Sequence, residues 1–97
     1  MKLVWVMYDI ENDKVRGNVA KFCKQAGLFR VQFSVFFGRI DGDDLDSLKL
    51  KIEDIIDLDH DSVYLFPTDK RWLRETILLG KAFDKEAVSD EMKALFL

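Results

Sequence analysis

The sequence predicts an α+β domain of ferredoxin-like type, βαββαβ, with one additional strand near its C-terminal end. Three observations predict it. Short apolar, strand-like runs recur at residues 2–9, 28–40 and 63–67. Two stretches of helical periodicity separate them, each carrying a single apolar stripe. The order is strand, helix, strand, strand, helix, strand, so both helices should pack on one face of an antiparallel sheet.

Residues 2–9 open the order. Val4, Trp5 and Val6 follow one another, which reads as a central strand buried on both faces. Asn12 or Asp13 caps a helix whose stripe is Val15, Val19, Phe22, Cys23 and Ala26, and Gly27 closes it in a left-handed conformation. Cys23 falls inside that stripe as a core thiol rather than a nucleophile. In "LFRVQFSVFFGRI" (28–40), Phe29, Val31, Phe33, Val35 and Phe37 alternate with Arg30, Gln32, Ser34, Phe36 and Gly38. The run is long for one strand, so it divides into two with a tight turn at Phe33-Ser34.

Asp41-Gly42 is a turn, and Asp43 or Asp44 caps a second helix with the stripe Leu45, Leu48, Ile52, Ile55 and Ile56. "DHDS" is a loop in which His60 reads as a solvated turn residue. "VYLFP" is the fourth strand, stopped by Pro67. "ETILLG" (75–80) reads as a fifth strand, which places a domain at 1–80 and a tail at 81–97 with Ser89 as a helix cap.

Ninety-seven residues make one small domain whose core a partner chain would enlarge. No apolar run approaches the roughly 18 residues a membrane span needs, and the first apolar run is too short for a signal peptide. A single Cys excludes an intramolecular disulfide and fits a reducing cytoplasm. A single His excludes a His/Cys metal cluster within one chain.

The net charge of −3 argues against a polyanion partner, but its distribution does not. Lys14, Arg16, Lys21, Lys24, Arg30 and Arg39 are the only charges between residues 14 and 39, whereas nine acids and two lysines fill 41–61. That segregation can make one face electropositive, with Lys14, Arg16, Lys21 and Arg30 as nucleic-acid contacts. The alternative is that each segment simply solvates its own helix. Asp9, a bare carboxylate ending an apolar strand, is open to two explanations: a turn residue accepting backbone hydrogen bonds, or a metal- or phosphate-handling group.

"VMYDI", "RVQFSVFFG", "SVYLFP" and a late "ILLG" occur in that order. Together they resemble the CRISPR-associated protein two family over roughly residues 2–80. The resemblance implies a cytoplasmic ferredoxin-like homodimer that works with CRISPR integrase dimers when new spacers are acquired. It also implies a Mg²⁺-dependent endoribonuclease or nuclease activity, with Mn²⁺ as a substitute, on duplex DNA or single-stranded RNA. Carried over residue by residue, Asp9 is the metal ligand. Arg16, Arg30 and Phe36 match positions implicated in catalysis, and Ser34 lies within the same motif. Phe36 is more often a core residue than a base-stacking one, but it falls on the Arg30 face rather than the Phe33 face, which leaves room for some exposure to a base. The chain departs from the family pattern at Gly17-Asn18, where further basic residues are usual.

Two alternatives stand beside the nuclease. A catalytically silent nucleic-acid-binding scaffold would need the basic residues and not Asp9. A ribonuclease toxin of the virulence-associated protein D type would share the fold. The fifth strand, apolar at Ile77-Leu78-Leu79, has no place left in its own sheet, so it is expected on the edge of a partner's sheet.

Overall fold

The computed structural model describes residues 2–80. The elements are β1 (Lys2–Asp9), α1 (Asp13–Gln25), β2 (Phe29–Gln32), β3 (Val35–Ile40), α2 (Gly42–Ile55), β4 (Ser62–Thr68) and α3 (Lys70–Glu75). The four strands form one sheet in the order β2-β3-β1-β4, and every neighbouring pair is antiparallel. This is the ferredoxin-like arrangement read from the sequence. Among the described residues, no helix is long and apolar enough to cross a membrane.

Local signals account for most of these boundaries. The Asn12 side chain accepts a hydrogen bond from the Val15 N–H at 2.9 Å and starts α1. Gly27, at φ +90°, reverses the chain after it. Ser34 takes φ +63° at the predicted hairpin turn, a left-handed conformation that a serine adopts only where a tight turn demands it. The start of α2 differs from expectation. Asp41 is its N-cap, and Asp43 and Asp44 lie in the first turn, where their charge suits the positive end of the helix.

Val4, Val6, Tyr8 and Ile10 of β1 and its extension pack with Phe36 and Ile40 of β3 beneath Val19, Ala20 and Cys23 of α1 and Leu48 and Ile52 of α2. The opposite face is treated differently. There Leu3, Val31 and Phe37 are buried under Leu73 of α3, with Trp5, Phe29 and Val35 half-buried beside them. Met7, Tyr64 and Phe66, farther along that face, are exposed. β1 is therefore central, as expected, but its second face is covered at one end only.

One correction concerns the C-terminal part, and one expected element finds no partner strand within a single chain. β4 continues through Pro67 to Thr68, because it is an edge strand and the missing N–H faces away from its only neighbour. Residues 75–80 form no strand in the single chain. Glu75 closes α3, which Asp69 caps through a 2.9 Å bond from the Trp72 N–H. The residues beyond make no ladder, and Ile77 and Leu79 are 82% and 78% exposed. A strand needs a free edge to pair with, and the fold of one chain brings none to this segment. The expected tail at 81–97, with Ser89, lies outside the described residues.

Candidate nucleic-acid interface

At one end of the sheet β1 finishes, α1 begins and the β2–β3 hairpin turns. The Tyr8 N–H donates to the Ser34 carbonyl at 3.1 Å, which ties the hairpin tip to the end of β1. Arg16, in the first turn of α1, folds back over the connection between them. Its Nη1 donates to the Ile10 carbonyl at 2.9 Å and to the Glu11 carbonyl at 3.3 Å, and its Nη2 forms an ion pair with Asp13. Arg30 reaches the same region from β2, beside Tyr8, and lies 5.3 Å from the centre of the Phe36 ring. The result is a shallow cleft of about 170 Å³ lined by Tyr8, Asp13, Arg16, Gly17, Arg30, Phe33 and Ser34.

Three of the residues singled out in the sequence, Arg16, Arg30 and Ser34, thus line one cleft. The others are placed elsewhere. Lys14 and Lys21 are exposed on α1 outside its lining. Asp9 is exposed and, by strand alternation, projects to the open face of the sheet with Trp5 and Met7, while Tyr8 projects to the helix-covered face. The expected partial exposure of Phe36 is a correction: it is fully buried, at 0% exposure. The Arg30 face is the one that α1 and α2 cover. Arg30 escapes burial because β2 is the edge strand, and Phe36 on interior β3 does not. Phe36 can support Arg30 from below, through the ring face that attracts a cation, but it offers no surface for a base to stack on.

Tyr8 and Phe33, the aromatic residues of the cleft, escaped the sequence reading as site residues. Tyr8 stands inside the quoted "VMYDI", and alternation with Val4 and Val6 would have put it on the helix-covered face. Burial raises its phenol above the usual tyrosine range, with the hydrogen bond from Arg30 and that cation's charge acting the other way, so it is a neutral hydroxyl at physiological pH. Phe33 is 70% exposed at the hairpin tip, and the Arg16 guanidinium lies 5.9 Å from its ring centre.

Other titratable groups resolve simply. Cys23 is buried in the core, and desolvation pushes its thiol up to about 12, which makes it an inert packing residue at neutral pH. His60 is an exposed turn residue, 3.0 Å from the Asp57 carboxylate. That carboxylate is held below its usual range by the Asp59 N–H first and His60 second. Among the described residues, no three His, Cys, Asp or Glu side chains gather as a metal-binding group. Asp9 itself is exposed at the end of β1. The cleft itself, with two guanidiniums against one carboxylate, is built to receive an anion.

The chain is similar to known proteins over most of its length. The family model for the CRISPR associated protein Cas2 matches residues 1–76. The CRISPR-associated endoribonuclease Cas2 1 of Archaeoglobus fulgidus is 31% identical over 75 residues, which span 77% of this chain and 80% of that protein. The CRISPR-associated endoribonuclease Cas2 of Desulforudis audaxviator is 36% identical over 89 residues, spanning 92% of this chain and 80% of its own. Among solved structures, Streptococcus pyogenes Cas2 superimposes with a TM-score of 0.70 at 32% identity, over 80% of this chain and 99% of that one.

Proposed function

The chain belongs to the CRISPR-associated protein Cas2 family, and from that premise we propose that it works in the acquisition of new spacers. It does so in the cytoplasm as a nucleic-acid-binding homodimer beside CRISPR integrase dimers. Family membership supports this role over the toxin alternative. The observation that carries the nucleic-acid part is the cleft where Arg16 and Arg30 converge on one anion-sized space. Guanidiniums suit phosphate because their planar forks match its oxygens. Lys14 and Lys21 on the same helix extend the positive charge along a polyanion.

A second reading, metal-dependent cleavage, is favoured by the position of Asp9 on the open, apolar face of the sheet. Two copies pairing through that face would bring two Asp9 carboxylates together across the twofold axis. Such a pair fits Mg²⁺, which takes one or two carboxylates and fills its remaining positions with water and phosphate; one Asp9 alone is a sparse site. When bound, the ion supplies charge for the phosphoryl oxygens and a more acidic water. The protein's own part is to hold the phosphate by Arg30 and to keep the end of β1 in place through the bonds of Arg16 to the Ile10 and Glu11 carbonyls.

Titrating duplex DNA binding against salt tests the primary reading. Affinity should fall steeply with salt through counterion release, and Arg30→Ala should reduce the slope by about 1. Salt-independent binding would sink it. For the secondary reading, Asp9→Asn should abolish Mg²⁺-dependent cleavage while leaving the fold and the salt slope intact.

A further inference from the structure

Phe33 is a large apolar ring at the tip of a hairpin, 70% exposed, in a position where nothing in the core requires it. Burial of apolar surface drives folding, and this ring contributes almost none. Its setting is nevertheless well defined. The Phe33 N–H is held by the Gln32 side-chain oxygen at 2.9 Å, Ser34 fixes the turn in a left-handed conformation, and the Ser34 carbonyl is bonded to the end of β1. The ring is presented from a pinned turn rather than from a loose loop.

Its neighbours are chemically selective. Arg16 lies 5.9 Å from the ring centre, and Arg30 lines the same cleft from β2. Asp13 is the one acid in that lining, against two guanidiniums. A flat aromatic surface beside a net positive cleft matches a unit that combines a flat ring with an anionic group. The repeating unit of a nucleic-acid strand has that form. A duplex cannot use both features together, because its bases are stacked inside and only its phosphates face outward. An unpaired nucleotide can lay its base on the ring while its phosphate meets the guanidiniums.

We propose that Phe33 is a stacking platform for one unpaired nucleobase, whose adjoining phosphate is held by Arg30 and Arg16. This rests on the nucleic-acid reading above and specifies its ligand as a single-stranded segment or a frayed end. Phe36, directly under Arg30, keeps that guanidinium aimed into the cleft, so the two phenylalanines divide the work: one buried support, one exposed surface.

The test uses a fluorescein-labelled single-stranded oligonucleotide carrying one 2-aminopurine, and a duplex of the same sequence, with full-length wild type, Phe33→Ala and Phe33→Trp. Stacking of one base corresponds to a loss of about 5- to 160-fold in single-strand affinity for Phe33→Ala, and the duplex should lose far less. Phe33→Trp should retain single-strand binding, and 2-aminopurine emission should be quenched by wild type and Phe33→Trp but not by Phe33→Ala. Unchanged circular dichroism and melting would show that the exposed ring was not supporting the fold. Equal losses for single strand and duplex, or no loss for either, would overturn the platform while leaving phosphate binding standing. A wild-type protein that binds neither form at low salt would remove the nucleic-acid reading and the platform together.

Discussion

The two faces of the sheet are built from similar residues and end in opposite states. On the helix-covered face, Val4, Val6, Tyr8, Phe36 and Ile40 are all buried beneath α1 and α2. On the other, α3 is only six residues long and closes over Leu3, Val31 and Phe37, leaving Met7, Tyr64 and Phe66 exposed. The register confirms that these exposed side chains are neighbours: Met7 pairs with Tyr64, and Trp5 with Phe66. The chain uses its first face to stay folded and keeps apolar surface on its second. Patches of this kind mark association sites. Asp9 stands at the end of the open face, so any chemistry it performs depends on what covers that face.

Substitution of the covered face should give the largest effect. Phe36→Ala empties a fully buried site and should cost about 3–5 kcal/mol, enough to leave a domain of this size marginal in urea denaturation. A loss below about 1 kcal/mol would mean that the two faces are not as different as their burial says.

Alkali should act next, again through the covered face. Burial raises the Cys23 thiol from its usual 9.0 to about 12, so the folded chain holds this proton more tightly than the unfolded one. The stability this provides is complete below about pH 9 and is lost as pH rises toward 12, at up to about 1.4 kcal/mol per unit. Cys23→Ala should flatten that part of the stability–pH curve, and the native thiol should resist alkylation at neutral pH.

The open face should show the smallest effect on folding and a clear one on mass. Tyr64→Asp, at a position 63% exposed, should change the stability of the dilute single chain by no more than about 0.5 kcal/mol. Light scattering at high concentration should nevertheless report half the wild-type mass. A Tyr64→Asp protein that keeps the wild-type mass would move the association site away from this face.

Much of this architecture was legible in the residues themselves. Asn12, Gly27 and the Phe33-Ser34 turn announce their elements because each acts through local backbone geometry, which a short stretch of sequence contains. Arg16, Arg30 and Ser34 were singled out through the resemblance to a known family, but that they line one cleft is a tertiary fact that no short stretch contains. What escaped depends on distant parts of the chain. Strand alternation showed that Phe36 shares a face with Arg30, but not that two helices lie over that face. "KRWLRE" is too short to display a helical stripe, and only Leu73 is buried. Ile77-Leu78-Leu79 has the composition of a strand, but a strand is a relation between two segments, and the expected second segment is the edge of a partner's sheet rather than part of one chain.

The Arg16–Asp13 ion pair has one further consequence. Arg16 arrives at the cleft already carrying a counter-ion, tethered three residues away on its own helix. A ligand phosphate does not simply add to this cation; it must exchange for the carboxylate, as on an ion-exchange resin loaded in advance. Tethering gives Asp13 a high effective concentration, so dilute free anions compete poorly for Arg16. A strand whose neighbouring phosphate is already held at Arg30 competes on equal terms, because it too has become local. In the proposed reading, phosphates joined in a chain would therefore compete for Arg16 better than isolated ones.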